Sequence, residues 1–287
     1  MFPVYLLCRV MEVTRSRYYF WRNGGAADDK ETEAARQVRE CFWLHRRRYG
    51  SRRISAELKR QGLWIGRCRV RSEMRRQGLE AIRPKRFRPQ TTDSSHSMRI
   101  SPNLLLDGAN KPAGQGTVIV GDITYLPLIN GKWCYLATFQ DKLTKRIVGW
   151  KVAASMTADI VVDAMKKALE MGRIKHNAII HTDRGSQYAS NEYRRLLANN
   201  NLRQSMSRKG NCYDNAQAES FFSRFKAELL EGGLFENTGQ ARSETFSYIE
   251  GYYNRVRIHS SLGYQSPEEF EKLLKSNKGA HEVLCPV

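Results

Sequence analysis

Residues 117–126 read TVIVGDITYL. Six of these ten side chains are β-branched, the kind that packs on a pleated surface and crowds a helix. Inside the run stands one acid, Asp122, and an acid within an apolar strand is rare without a partner. Working outward, Asn130-Gly131 is a two-residue hairpin signal. KWCYLATFQD (132–141) and KRIVGWKVA (145–153) then read as second and third strands. MTADIVVDAMKKALEMG (156–172) sets Ile160, Val161, Ala164 and Ala168 on one helical face. NAIIHTD (177–183) reads as a short buried strand, SNEYRRLLANN (190–200) as a helix, QSMSR (204–208) as a fifth strand and DNAQAESFFSRFKAELL (214–230) as a helix. The order β-β-β-α-β-α-β-α predicts an α/β layer fold, a mixed five-stranded sheet with helices on its faces.

The 287 residues suffice for one substantial core and a smaller module. A formal charge of +19 points to a polyanionic partner, either nucleic acid or an anionic membrane surface. No apolar run approaches the ~20 residues a membrane span needs. The opening MFPVYLLCRV lacks the basic start and small-residue cleavage site of a signal peptide. Nucleic acid is therefore the favoured polyanion. The six cysteines are at least 27 residues apart, so zinc-ligand spacing is absent and reduced cytosolic thiols are expected.

The charge is concentrated. Between Arg46 and Arg88 there are sixteen Lys or Arg against three acids. Lys30 to Arg48 reads as a helix. SRRISAELKR (51–60) keeps Ile54 and Leu58 four apart, and Gln61-Gly62 breaks it. GRCRVRSEMRRQG (66–78) does the same with Val70 and Met74. Two short helices about a glycine turn outline a helix-turn-helix, best placed at 45–80. Its second helix presents Arg67, Arg69 and Arg71 early, and Arg52 and Arg53 head the first. For any single arginine a solvated helix face is the simpler reading. For the whole cluster DNA contact is, because so many like charges repel without a counter-surface. A weaker helix-turn-helix outline, or a plain helical hairpin, lies at 4–21, with Thr14 or Ser16 as cap. From Ile82 the pattern dissolves into a basic, Pro- and Ser-containing linker (82–115), in which Lys85 and Arg86 are positioned to follow phosphates.

Three acids occupy telling places. Asp122 is inside the first strand, Asp183 ends the fourth, where α/β sheets place their sites, and Glu219 is on the following helix, 35 residues intervening. Clustered carboxylates raise one another's pKa, and divalent metal ions remove that cost. Two ions held by a few carboxylates can clamp both oxygens of a phosphoryl transfer. Hard ions such as Mg²⁺ favour such oxygen ligands. Spacing alone leaves Glu192 and Glu228 as alternatives for the third acid, while Asp214 is better explained as a helix N-cap. Lys226 shares a helical stripe with Glu219 and Ser223, a place to meet a phosphate. His181, two residues from Asp183, reads as a structural neighbour rather than a metal ligand. In the tail, Ser266 to Glu269 forms a capping box. Arg257 and His259 read as braces for the Glu219 helix ahead of DNA contacts.

The runs GDITYLP (121–127), HTDRGSQY (181–188), GNCYDNAQAESFFSRFKAEL (210–229) and YYNRVRIHSSLGYQSPEEFE (252–271) resemble transposases of the insertion-sequence-3 family. The likeness is to the second-reading-frame product, within the retroviral-integrase superfamily. RRRYGSRRI (46–54) and VRSEMRRQGL (70–79) resemble that family's helix-turn-helix, and LCRVMEVTRSRYYFW (7–21) its opening. The resemblance implies a ribonuclease-H-like catalytic core at 116–275, an all-α helix-turn-helix region at 1–81 before it and a tail at 276–287. It places the family's acidic triad on Asp122, Asp183 and Glu219, binding two Mg²⁺ or Mn²⁺ ions. It implies cleavage at transposon ends and strand transfer of a 3′-hydroxyl into double-stranded target DNA. It further implies a homodimer or larger synaptic oligomer, a first-reading-frame partner, no membrane association and a cytoplasmic, nucleoid-associated location. Gln140 stands where the family usually has an apolar residue. The alternative from another class is a non-catalytic DNA-binding regulator derived from a transposase.

Overall fold

The computed structural model describes residues 3–22, 32–83, 98–106, 111–208, 216–231 and 233–276. It forms two units, Met1–Ala81 and Ile82–Val287. Among the described residues no helix is long and apolar enough to cross a membrane.

The first unit is helical. Helices α1 (Val4–Val10) and α2 (Arg15–Arg22) are a short pair, and the Thr14 hydroxyl caps α2 by accepting from the Arg17 N–H at 3.3 Å. Thr32 caps α3 (Glu33–Leu44) in the same way. That helix is shorter than the expected 30–48. Arg46 and Arg47 take φ of 49° and 62°, and the Arg47 N–H reaches back to the Phe42 carbonyl, so the chain turns left-handed before Arg48. Helices α4 (Ser51–Arg60) and α5 (Arg67–Arg76) follow, with Gly62 at φ 85° ending α4. Ala35, Val38, Phe42, Ile54, Leu58, Val70 and Met74 make the core of α3, α4 and α5. The Ser55 hydroxyl donates to the Ile65 carbonyl at 2.8 Å and pins the turn between α4 and α5.

The second unit is built on a sheet of order β3-β2-β1-β4-β5. Strands β1 (Val118–Pro127), β2 (Trp133–Asp141) and β3 (Ile147–Ala153) form an antiparallel meander, while β4 (Ile179–Thr182) and β5 (Arg203–Met206) add in parallel. Helix α6 (Ala158–Glu170) links β3 to β4, and α7 (Ser186–Ala189) with α8 (Asn191–Asn199) links β4 to β5. These helices cover one face, where Ile119, Phe139 and Ile180 meet Ile160, Val161, Met165 and Tyr193. Helices α9 (Ala216–Leu230) and α10 (Thr238–Phe246) cover the other, where Leu126, Leu136, Trp150 and Val152 meet Phe221, Phe222, Phe225 and Tyr248. A sheet buried on both faces explains why its strands read as almost continuous apolar runs. The mixed sheet, its flanking helices and the helical region before it form the architecture that the resemblance implied.

Details depart from the sequence reading. The β1–β2 hairpin closes with the Leu128 N–H on the Lys132 carbonyl at 2.9 Å, leaving a three-residue loop with Gly131 at φ 75° rather than a two-residue one. The Ile129 N–H is drawn away to the Phe235 carbonyl at 2.8 Å. Strand β5 ends at Met206, two residues before the expected Arg208. Part of the expected linker packs on this edge strand: the Ser101 hydroxyl donates to Gln204 Oε1 at 2.7 Å and the Leu104 N–H to Ser205 Oγ at 2.9 Å. After α10 the chain winds through a π-helical turn, Ser247–Tyr253, and α11 (Pro267–Ser276) is the last element among the described residues. The expected capping box opens α11, with Ser266 N–H to Glu269 Oε2 at 2.8 Å and Glu269 N–H to Ser266 Oγ at 3.3 Å.

Candidate active site

Strand alternation sets where each acid points. Along β1, Ile119 and Ile123 face α6, so Asp122, Thr124 and Leu126 face α9. Gly121 lets the strand sit close to its neighbours. A Cβ there would lie 2.5 Å from Phe139 Cε1 and 3.2 Å from Thr182 Cγ2. Parallel pairing of Val118 with Ile179 and Val120 with His181, carried two residues further, brings Asp183 beside Asp122. The electrostatics agree. Burial first and the Asp183 charge second push the Asp122 carboxyl well above the usual carboxylate range. Glu219 adds to the push, while the Ile123 N–H, donating to Asp122 Oδ1 at 2.8 Å, and Lys226 oppose it. Asp183 is half-buried, and its Oδ1 accepts from the Gly185 N–H at 3.0 Å.

Glu219 is exposed in the first turn of α9, and desolvation pushes its carboxyl up. Its helix seats on the sheet through Ala218, Phe221, Phe222 and Phe225. Lys226, two turns on, is half-buried; burial pushes its ammonium down and Asp122 pulls it back up. The fold thus gathers Asp122, Asp183, Glu219 and Lys226 on one side of the sheet. Tyr188, the last residue of HTDRGSQY, packs on the opposite face, against Phe139 and Tyr193, yet feels the same acids. Its ring is buried and its hydroxyl is pushed well above the ordinary tyrosine value, first by burial, then by Asp122 and Asp183.

The rival acids separate. Glu192 is exposed on α8, across the sheet. Asp214 lies outside the described residues. Glu228 is buried and committed to Arg257, with Nη2 to Oε1 at 2.6 Å and Nε to Oε2 at 2.9 Å, while the Tyr248 hydroxyl donates to Oε2 at 2.9 Å. Arg257 is therefore an internal brace of α9. His181 is fully buried, with Nδ1 2.8 Å from Ser205 Oγ.

In the helical unit, Arg67, Arg69 and Arg71 are exposed on α5, whose Val70 and Met74 turn inward. Arg52 is exposed on α4, and the Arg53 guanidinium lies 5.7 Å from the centre of the Tyr49 ring. Lys85 and Arg86 lie outside the described residues.

The donor set suits a hard divalent cation: carboxylate oxygens that repel one another and have one partly buried ammonium nearby. Among the described residues no three His, Cys, Asp or Glu side chains form a group set to hold one ion.

The model of the integrase core domain matches residues 112–212, a second integrase core model matches 200–267, and an HTH-like domain model matches 28–87. Transposase InsF for insertion sequence IS3A of Escherichia coli (strain K12) is 38% identical over 274 residues, 94% of each chain. An uncharacterized 31 kDa protein of insertion element IS600 from Shigella sonnei is 38% identical over 271 residues, 93% of this chain and 97% of its own. Among solved structures, the HTLV-2 integrase catalytic core domain in complex with magnesium aligns with a TM-score of 0.43 and 13% identity, covering 56% of this chain and 99% of that one. A chain of the simian T-cell lymphotropic virus intasome in complex with PP2A regulatory subunit B56 gamma gives 0.46 and 13%, covering 88% and 77%.

Proposed function

The chain belongs to the transposase family of insertion sequence IS3, and on that premise we propose that Asp122, Asp183 and Glu219 are its catalytic acids, holding two Mg²⁺ or Mn²⁺ ions. It is a DNA transposase with a polynucleotidyl-transferase core. The observation that carries the site is Asp122 on β1 next to Asp183, just past the end of the neighbouring β4, on the side of the sheet covered by the helix that bears Glu219. The ions, when bound, neutralise the charge developing on the attacking and leaving oxygens of a phosphoryl transfer.

The protein's own residues position. Asp122 would help to hold both ions, and Asp183 and Glu219 would hold one each. Lys226 meets a DNA phosphate along the same stripe of α9. The activity is cleavage at transposon ends followed by joining of the freed 3′-hydroxyl to double-stranded target DNA. Arg67, Arg69 and Arg71 on α5, with Arg52 and Arg53 on α4, hold the duplex, and Lys85 and Arg86 follow its backbone. Bringing two ends together calls for a dimer or larger assembly on the chromosome in the cytoplasm, with a first-reading-frame product as a further partner. A regulator without catalysis is not favoured, since InsF, which is matched over 94% of this chain, is named a transposase.

The test is cleavage and joining of DNA carrying the element's ends, with Mn²⁺. Glu219→Gln is expected to abolish both while leaving DNA binding intact; full activity in that variant would overturn the assignment.

A further inference from the structure

Gln140 is 2% exposed, on the face of β2 that looks toward α9. A buried amide is costly unless its donors and acceptor are met. Here they are. Its Nε2 donates to the Tyr253 hydroxyl at 2.8 Å and to the Lys145 carbonyl at 2.8 Å, and its Oε1 accepts from Gln217 Nε2 at 3.0 Å. Gln217 Nε2 also donates to the Asp141 carbonyl at 3.2 Å, and Gln217 Oε1 accepts from Lys145 Nζ at 2.7 Å. The lysine can only donate and the carbonyls can only accept, so the network fixes which way round both amides lie.

Gln217 is in the first turn of α9, two residues before Glu219. At about 100° per residue the two side chains stand about 200° apart, on opposite flanks of the buried phenylalanine face. Glu228, eleven residues after Gln217, returns to the Gln217 flank. The helix is thus pinned along one flank at both ends, by Gln140 at the front and Arg257 at the back, and offers Glu219 and Lys226 on the other. Tyr253 ties the two pins together: its hydroxyl meets Gln140, its ring lies edge-on to Phe221 at 4.9 Å, and the Arg257 guanidinium is 5.8 Å from its centre.

Pins on one flank set the roll of a helix about its axis. A roll of about 20° moves a side-chain tip on the far flank by about 2 Å, and displacements of ~1 Å at a reacting centre can cost on the order of a hundredfold in rate. We infer that Gln140 is a positioning residue for Glu219: through Gln217 it fixes the roll of the first turns of α9 and so the approach of Glu219 to Asp122. This rests on Glu219 being one of the catalytic acids.

The test compares the full chain with Gln140→Leu, Gln217→Ala, their combination, and Gln140→Leu/Tyr253→Phe, which removes both ends of one buried hydrogen bond and so spares the Tyr253 hydroxyl from being orphaned. Two quantities are read. One is amide hydrogen exchange over residues 217–222 in metal-free protein; the other is the Mn²⁺ concentration giving half-maximal cleavage of end DNA. Each single variant is expected to speed exchange there and to raise the Mn²⁺ midpoint by about tenfold. The combination should do no more than either alone, with DNA affinity unchanged. Gln140→Leu/Tyr253→Phe should recover part of the melting temperature lost in Gln140→Leu but none of the Mn²⁺ midpoint. Faster exchange with an unmoved midpoint would make Gln140 a packing residue and overturn the inference, as would no change in either quantity. A wild type that ignores Mn²⁺ overturns the metal-site reading itself, and this one with it.

Discussion

Arg257 and Glu228 meet edge to edge inside the protein, Nη2 to Oε1 at 2.6 Å and Nε to Oε2 at 2.9 Å, with side-chain exposures of 2% and 3%. The Tyr248 hydroxyl occupies the same carboxylate. Both burial of the charges and their pairing are complete, so removing one partner strands the other. Arg257→Leu is expected to cost about 3–5 kcal/mol in chemical denaturation. Joint replacement by Arg257→Leu and Glu228→Met should recover much of that loss. A single variant within ~0.5 kcal/mol of wild type would show that the pair does not anchor α9.

Metal binding should stabilise the metal-free protein. Burial and the Asp183 charge both disfavour the charged form of Asp122, and a divalent cation relieves both. At a hundred times its dissociation constant Mn²⁺ should add about 2.7 kcal/mol of stability, removed by EDTA. Asp122→Asn should gain nothing. An equal gain in that variant would place the ion elsewhere.

The helical unit should weaken in mild acid. His45, stacked on Tyr49 with ring centres 3.8 Å apart, is held down to about 4 by burial and then by Arg48 and Arg60. The folded imidazole stays neutral while the unfolded one takes up a proton near its usual value of about 6.5. Its contribution is therefore fully present above about pH 6.5 and is lost as the pH falls toward 4, the loss reaching about 2 kcal/mol at pH 5. His45→Phe keeps an aromatic ring against Tyr49 and cannot titrate. Denaturation of both proteins at pH 7 and pH 5 should show the wild type losing the extra stability, and a difference unchanged between the two pH values would refute this.

DNA affinity should depend steeply on salt. Arg67, Arg69 and Arg71 are exposed on one helix, and each phosphate that the protein ceases to neutralise lowers the slope of log affinity against log salt by about 0.9. Replacing all three by Gln should reduce it by roughly 2 to 3. A slope that does not move would take α5 off the DNA.

Much of this was written locally. β-Branching announced β1, Thr14 was one of two caps read for α2, and Ser266 with Glu269 spelled out their own cap. Local patterns misjudged what depends on distant partners. The hairpin loop gained a residue because Ile129 is bonded to Phe235, and residues 101–104 lie along β5 because an edge strand has groups to satisfy.

By itself the sequence determined the order of strands and helices, the basic helical unit and the setting of each acid, because periodicity, turn chemistry and charge act between near neighbours along the chain. Tertiary structure alone decided that β4 lies beside β1, which brings Asp183 to Asp122. It also decided that Glu228 is a buried ion-pair partner rather than a third acid, and that Gln140 ends against Gln217 and Tyr253. Those pairings join residues 29 to 113 positions apart, and they depend on which flank of α9 turns to the sheet. No local pattern carries that choice. It is made when the apolar face of α9 packs and the polar groups beside it must find partners out of water.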